Sequence, residues 1–237
     1  MSLPVPIPES SKEKHARYLE YKDSEIEWLG DIPAHWETKK LKSIGWIRAG
    51  AGFPDAEQGL VNEGLPFYKV SDMNLDGNEI LMKSHNNSVS KETAKRLGAT
   101  IFPSDTIIFP KVGIALLTNK RRILHCQACL DNNTMGFYVR VGSVKFMYYR
   151  LLTLDFGRLA NPGAVPSMNE SQVNNLYINI PPIEEQQVIA DYPDKETARI
   201  DNLINKINQA IEKLQEYRSA LITAAVTGKI DVRQHAS

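Results

Sequence analysis

The pattern of apolar residues changes character about three quarters of the way along the chain. Before residue 180 the apolar residues come in short runs, among them IGWI, LPFYKV, TIIFPKVGIALL, RRILHC and GFYVRV. Turns rich in Gly, Pro and Asn separate these runs, and many of their residues are β-branched or aromatic, which is typical of strands. The pattern predicts an α+β fold, with a mixed globule of roughly 150 residues.

Three segments of this globule carry helix signals. SKETAKRLG has Ser90 in the capping position and Gly98 as a C-terminal stop. VKFMYYRLLTLDFGRL, residues 144–159, has apolar residues at helical spacing and predicts a second helix. SQVNNL predicts a further short helical turn capped by Ser171.

The last part of the chain predicts one long helix with a continuous apolar stripe. Its apolar residues recur in steps of three and four, the spacing of a coiled coil. We call this set the seam; it comprises Ile200, Leu203, Ile207, Ala210, Leu214, Tyr217, Leu221 and Ala224. A helix of about 32 residues and about 48 Å cannot bury such a stripe against itself. The seam therefore predicts a partner helix from a second copy or another protein, or else packing against the chain's own globule.

A proline-rich joint precedes this helix. Pro181 and Pro182 favour an extended chain and a helix start, and Glu184 and Glu185 suit the first helical turn, where the helix dipole favours carboxylates. Pro193 predicts a kink and a restart of the helix. Such a joint fixes the angle between a globule and a rod.

Charge is distributed unevenly along a chain whose formal net charge is zero. Between residues 83 and 158, twelve Lys and Arg stand against four acids, a net charge of +8. Each flank, residues 1–40 and 184–237, is acidic by two charges. A basic middle is typical of a surface that faces phosphate, although a solvated surface of mixed charge gives the same count.

The candidates for DNA contact are basic and amide side chains in this window. Lys and Arg position a protein on phosphates, and Arg, Asn and Gln read base edges. The predicted DNA-binding residues are Lys91, Lys95, Arg96, Lys111, Asn119, Lys120, Arg121, Arg122, Asn132 and Asn133.

Signals for catalysis and cofactors are weak. AGAGF, residues 49–53, has one Gly-x-Gly but is followed by Pro54 rather than a helix, and NIPPI departs from the Asn-Pro-Pro-aromatic motif of adenine methyltransferases. HCQAC, residues 125–129, lacks a second ligand pair at zinc spacing. We expect no enzyme activity, no metal and no cofactor. Two cysteines and the lack of a bilayer-length apolar run predict a cytoplasmic protein without a membrane partner.

Three stretches together resemble one family, the specificity (S) subunits of Type I restriction–modification systems. They are YKDSEIEWLGDIPAHWETKKLKSIG (21–45), NPGAVPSMNESQVNNLYINIPPIEEQQVIA (161–190) and ETARIDNLINKINQAIEKLQEYRSALITAAVTGKIDV (196–232). The resemblance implies three regions: an extended N-terminal arm over 1–27, a target recognition domain over 28–183 and a conserved helical spacer over 184–237.

The resemblance also implies a function without catalysis by this chain. In the family, each target recognition domain reads one half of a bipartite DNA site, and an antiparallel helix pair sets the spacing. Modification subunits, which bind S-adenosylmethionine and methylate adenine, dock on this scaffold, and restriction subunits join them. The implied partners are double-stranded DNA, these two subunits and a second copy of the chain.

This chain departs from the family pattern by having one recognition domain and one helix instead of two of each. We expect a half-size subunit, a gene fragment or an expressed portion. Two copies paired antiparallel would read an inverted repeat whose halves lie on the order of a dozen base pairs apart. The alternative is a coiled-coil interaction protein, or an inactive specificity cassette whose globule does not bind DNA alone.

Overall fold

The computed structural model describes residues 17–26, 29–161 and 163–233. Their strands are β1 (Tyr21–Asp23), β2 (Asp31–Pro33), β3 (Glu37–Lys40), β4 (Gly45–Ala49), β5 (Leu65–Tyr68), β6 (Leu81–Met82), β7 (Ser88–Val89), β8 (Ile107–Pro110), β9 (Arg122–Leu124), β10 (Cys129–Leu130), β11 (Thr134–Val139) and β12 (Tyr177–Ile180). Their α-helices are α1 (Lys91–Arg96), α2 (Gly113–Leu117), α3 (Val144–Leu152), α4 (Phe156–Leu159), α5 (Glu170–Asn174) and α6 (Ile183–Val226). Short 3-10 turns occupy Leu41–Ser43, Asp55–Glu57 and Val70–Asn74.

A five-stranded sheet in the order β4-β11-β8-β9-β6 organises the globule. β11 is antiparallel to both β4 and β8, and its Phe137 lies between Ile47 and Ile107 in the register. β8 is antiparallel to β9, which pairs in parallel with β6. All four residues of β8 are buried, which explains its unbroken apolar sequence in the middle of the sheet.

A smaller sheet, β10-β5-β7, lies beside the first, and β10 is parallel to β5. Apolar clusters form the core around both sheets, and Phe67 and Phe102 are among their fully buried members. Two strand pairs, β1-β2 and β12-β3, complete the globule. Most of the predicted N-terminal arm falls outside the described residues, but residues 21–23 of it form β1.

The structure confirms one predicted helix and corrects two others. α1 begins after Ser90, whose hydroxyl accepts from the Thr93 N–H, and Gly98 follows its end with a φ of +62°. Residues 144–159 are wrong as a single helix, because the chain leaves the helix after Leu152 and restarts at α4 with Asp155 as its cap. The cap of α5 is Asn169 rather than Ser171, which lies inside the helix.

TIIFPKVGIALL is a strand only in its first half, because Pro110 ends β8 and Gly113, at a φ of +71°, opens α2. An L-residue rarely adopts this backbone conformation, so glycine permits the sharp change of direction.

Contacts divide the chain into two compact units, Met1–Val188 and Ile189–Ser237. Glu184 and Glu185 lie in the first turn of α6, as predicted. The first unit contains this turn, so it extends a few residues beyond the predicted boundary at 183. The predicted restart at Pro193 is wrong, since α6 is assigned as one 44-residue helix with this proline inside it. Proline removes one backbone hydrogen-bond donor, yet the helix continues through Pro193 to Val226. Within the described residues, no helix combines the length and apolar character needed to cross a bilayer.

Candidate nucleic-acid interface

Strand directions bring three loops to one edge of the five-stranded sheet. Because β11 is antiparallel to β4 and β8, its start lies beside their ends. The start of β9 lies at the same edge, because β9 is antiparallel to β8. We call this the loop edge; it comprises residues 49–51, 111–122 and 131–133. Seven of the ten predicted DNA-binding residues lie on it: Lys111, Asn119, Lys120, Arg121, Arg122, Asn132 and Asn133.

A tight turn at the loop edge displays two asparagines. The Thr134 N–H donates to the Asp131 carbonyl at 3.0 Å, and the Asp131 carboxylate accepts from the Thr134 hydroxyl at 2.6 Å and the Asn133 amide at 3.3 Å. Burial raises the pKa of the Asp131 carboxyl, although these hydrogen bonds offset part of the effect. Asp131 is buried, whereas Asn132 and Asn133 are exposed. The buried acid thus holds the turn, and both asparagines remain accessible to solvent.

Gly50 allows β4 to approach this turn closely. A Cβ atom at Gly50 would lie 2.1 Å from the Asp131 carbonyl oxygen and 2.3 Å from that of Leu130. These are backbone atoms and cannot rotate away, so only glycine fits. The N–H groups of Gly50 and Ala51 donate across the gap to the carbonyls of Thr134 and Leu130, at 2.9 Å each.

A further loop, residues 163–168, packs onto the loop edge through the backbone. The Lys111 N–H donates to the Asn133 carbonyl at 2.8 Å, and the Lys111 carbonyl accepts from the Met168 N–H at 2.9 Å. The Gly113 N–H donates to the Pro166 carbonyl at 2.8 Å. This loop was not among the predicted DNA-binding residues, although it lies in the stretch 161–190 that carries the family resemblance.

Arg121 is a correction to the predicted DNA-binding set. Its side chain is fully buried, and its guanidinium carbon lies 3.8 Å from the centre of the Phe156 ring. The guanidinium donates to the carbonyls of Lys120 at 2.9 Å and Leu154 at 3.3 Å. Burial lowers the pKa of Arg121 to about 9. A side chain enclosed in this way cannot reach DNA; it joins the turn before β9 to the chain entering α4.

Asn119 also serves the fold. Its amide nitrogen donates to the Leu152 carbonyl at 3.0 Å, and its oxygen accepts from Arg121 at 2.8 Å and from the Phe156 N–H at 3.4 Å. Its φ of +52° is a conformation that asparagine tolerates better than most residues. The amide thus makes three hydrogen bonds within the fold, and Asn119, which is half-buried, stays only a prediction as a DNA contact.

Arg122 and Lys120 retain partial access at the loop edge. Arg122 is half-buried and donates to the carbonyls of Arg121 at 2.8 Å and Met73 at 3.0 Å. Lys120 bonds to the side chain of Asn74. Lys111 is half-buried, and its ammonium group has no hydrogen-bond or ion-pair partner among the described residues.

The predicted residues of α1 lie elsewhere. α1 follows β7, whose end is paired with the start of β5. The turn at residues 131–134, which we call the asparagine turn, follows the end of β10, and β10 is parallel to β5. Lys91 and Lys95 are exposed, and Arg96 pairs with Glu57. Sheet topology therefore separates α1 from the loop edge, and the role of its three residues stays a prediction.

The two cysteines of HCQAC have different environments. Cys126 is exposed and Cys129 is buried, and burial raises the pKa of Cys129 to about 11. Among the described residues, no three His, Cys, Asp or Glu side chains are grouped so that they could hold a metal ion.

The joint at the start of α6 is held by two side chains within the first unit. The Glu185 carboxylate accepts from the Tyr18 hydroxyl at 2.5 Å, from Nε1 of Trp36 at 3.1 Å and bonds Nε2 of His35 at 2.7 Å. Burial raises the pKa of Glu185, but these hydrogen bonds outweigh it and hold the pKa below its ordinary value. The buried Gln186 accepts from the Ser143 N–H at 2.8 Å and donates to the Pro181 carbonyl at 2.9 Å. Gln186 is thus a packing residue.

The seam of α6 is exposed within the second unit. Its large apolar members, Ile200, Leu203, Ile207, Leu214, Tyr217 and Leu221, each expose between 46% and 66% of their surface. Ala210 is exposed and Ala224 is half-buried. In the turn after α6, the Lys229 N–H donates to the Ala224 carbonyl. The sequence prediction of a long helix with an apolar stripe is confirmed.

The sequence model of the family described as Type I restriction modification DNA specificity domain matches residues 33–213. The chain belongs to this family. It is 22% identical over 212 residues to the EcoBI specificity subunit of Escherichia coli, covering 88% of this chain and 42% of that one. It is 22% identical over 226 residues to the MjaVIII specificity subunit of Methanocaldococcus jannaschii, covering 91% and 51%. The chain thus spans about half the length of these relatives.

Solved structures share the fold. One comes from work on complex assembly and conformational transition of the type I R-M system. It has a TM-score of 0.65 at 16% identity, and the match covers 83% of this chain and 47% of the chain in that structure. The HsdS subunit from Thermoanaerobacter tengcongensis has a TM-score of 0.58 at 16% identity, covering 73% and 40%. The family resemblance and the α+β fold with a long C-terminal helix, both predicted from sequence, are confirmed.

Proposed function

We propose that this chain reads one half of a bipartite DNA site for a Type I restriction–modification complex and performs no catalysis itself. The observation that carries the proposal is the loop edge, where exposed Asn132 and Asn133 lie beside Lys111. Asparagine amides match the donor and acceptor pair of adenine in the major groove, and lysine ammonium groups match phosphates. Family membership supports the same role.

In this proposal the chain is also a scaffold. Modification subunits, which bind S-adenosylmethionine and methylate adenine, dock on it, and restriction subunits join that complex in the cytoplasm. The cofactor belongs to the modification subunit. The rigid joint at Glu185 and Gln186 supports a scaffolding role, because five hydrogen bonds fix the first turn of α6 within the first unit.

The seam provides the surface for a second copy. Two units of this size together match the length of one relative, since the chain covers 42% and 51% of two of them. Six large exposed side chains repeat at coiled-coil spacing, and burying each fully contributes about 1.5–3 kcal/mol. We propose an antiparallel pair of α6 helices, whose two-fold symmetry selects an inverted-repeat DNA site.

Coexpression with the modification subunit in a bacterial host that lacks adenine methylation tests the proposal. Single-molecule sequencing of the host DNA should reveal one bipartite motif that disappears when either subunit is omitted. Purified complex should shift duplexes containing that motif and not scrambled duplexes. A complex that assembles but leaves no motif and binds no duplex would instead identify an interaction protein or an inactive cassette.

A further inference from the structure

Two apolar side chains stand exposed beside the asparagine turn. Ile114, in the first turn of α2, exposes 82% of its surface, and Val165, in the loop 163–168, exposes 59%. They flank the two ends of one backbone hydrogen bond, from the Gly113 N–H to the Pro166 carbonyl at 2.8 Å. Short, rigidly bonded segments therefore place both residues at the loop edge.

Packing does not account for either side chain. α2 anchors itself to the globule through Leu116, which is buried, and leaves Ile114 in solvent. Isolated exposed apolar residues are common on protein surfaces. This pair differs because the Lys111 backbone bonds both to Asn133 and to Met168, so the apolar pair and the exposed asparagines belong to one hydrogen-bonded surface.

The charge around the pair favours nucleic acid over an apolar protein partner. Lys111, Lys120 and Arg122 lie on the same edge. Asp131 is buried, and the Glu170 carboxylate is engaged by the Ala49 N–H at 2.7 Å and by Arg48 at 3.3 Å. A surface with cations, amides and small branched apolar groups matches the major groove, where thymine presents its 5-methyl group.

We infer that Ile114 and Val165 contact thymine methyl groups in the major groove, beside the bases read by Asn132 and Asn133. The inference rests on the proposed function, because it names the bases that the same loop edge reads. The asparagine amides match adenine, which pairs with thymine, so a half-site of the proposed kind contains at least one thymine methyl group.

The test uses the complex of this chain with its modification subunit and duplexes carrying the methylated motif. Each thymine of the half-site is replaced in turn by uracil, which lacks only the methyl group. Wild-type complex should lose about fourfold in affinity at one or two positions, the effect of one buried methyl. Ile114→Ala or Val165→Ala should bind the thymine and uracil duplexes equally at that position.

Leu60→Ala is the matched control, because Leu60 is also exposed but its carbonyl bonds to Ser88 at the start of β7. It should keep the thymine preference of the wild type. Thermal unfolding should show that all three variants fold normally, since exposed apolar side chains contribute little to stability.

Retention of the full thymine preference by both Ile114→Ala and Val165→Ala overturns the inference and leaves the proposed function intact. Loss of modification-subunit binding by these variants, with the thymine preference retained, also overturns it and assigns the pair to a protein contact. Failure of the wild-type complex to methylate any motif or bind any duplex overturns the proposed function itself.

Discussion

The Tyr18 hydroxyl donates a 2.5 Å hydrogen bond to the Glu185 carboxylate and so ties the N-terminal segment to the first turn of α6. The same carboxylate binds His35 and Trp36, which follow β2. Three residues from a short stretch of chain thus converge on one acid at the helix start. This arrangement makes Glu185, together with Gln186, one of the two residues that hold the joint.

Glu185→Ala should destabilise the first unit. Removing the acid leaves the Trp36 and Tyr18 donors without their partner. A hydrogen bond to a charged group contributes about 1.5–3 kcal/mol to the stability of a folded protein. We expect a loss of about 2 kcal/mol in the free energy of unfolding, measured by urea denaturation. Glu184→Ala is the control, because Glu184 is exposed and has no partner among the described residues. Equal effects of the two substitutions would contradict this role of Glu185.

The contribution of Glu185 should depend on pH. Its pKa in the folded protein is held below the ordinary value of 4.5, so its stabilisation is present above pH 4.5 and is lost as the pH falls through the folded pKa. The difference in unfolding free energy between wild type and Glu185→Gln should therefore shrink between pH 6 and pH 3. Urea midpoints at half-unit intervals measure it, and a difference that stays constant over this range would refute the prediction.

Arg121→Ala should act on folding. The substitution leaves a cavity beside Phe156 and removes the donors to the carbonyls of Lys120 and Leu154, so we expect a loss of about 2–5 kcal/mol in stability. The salt dependence of DNA binding by the folded fraction should be unchanged, because a buried guanidinium releases no counterions. A flatter salt dependence at unchanged stability would restore Arg121 as a DNA contact.

Lys111→Ala should weaken DNA binding through phosphate contacts. The slope of the logarithm of affinity against the logarithm of salt concentration should fall by about 1, with no change in the preferred motif. Lys42→Ala is a charge-matched control, because Lys42 is exposed and precedes the start of β4, at the opposite edge of the sheet. Fluorescence anisotropy at several salt concentrations measures both slopes. Equal reductions would show that the salt dependence does not come from the loop edge.

Leu214→Glu should separate the proposed pair of copies. It places a charge in the middle of the seam, where burial in a helix pair would be costly. Sedimentation velocity at micromolar concentration should show a dimer for the wild type and a monomer for the variant. Asn208→Glu adds the same charge outside the seam and should remain dimeric. A monomeric wild type would end the pairing proposal.

The sequence predicted best those parts of the fold that a single local signal determines, such as an apolar run, a pair of helix caps or a heptad spacing. β8 was recognisable because all its residues are buried, and α1 because a serine and a glycine bound it. The seam was recognisable because its spacing extends over more than three heptads.

Other features depend on contacts between residues far apart in the chain, and the sequence did not predict them. Arginine is usually found on the surface, and the sequence gives no sign that Arg121 is buried. Its burial follows from its contacts with the rings of Phe109 and Phe156. The helix break after Leu152 depends on Asp155 capping α4 and on Asn119 bonding the Leu152 carbonyl. The loop edge gathers residues far apart in sequence, and the directions of β4, β8, β9 and β11 were needed to place them together.

The close contact at Gly50 restricts that position to glycine, whereas it does not restrict the side chains of the asparagine turn. Any larger residue there would push β4 away from the backbone of the asparagine turn, whatever side chains the turn carries. Asn132 and Asn133 are both exposed, and the Asn133 amide donates to the Asp131 carboxylate at 3.3 Å. The Asn132 side chain has no hydrogen-bond partner among the described residues, so its replacement breaks no hydrogen bond of the turn. Under the proposed function, a new target sequence would therefore require the exchange of only a few exposed side chains on an unchanged backbone.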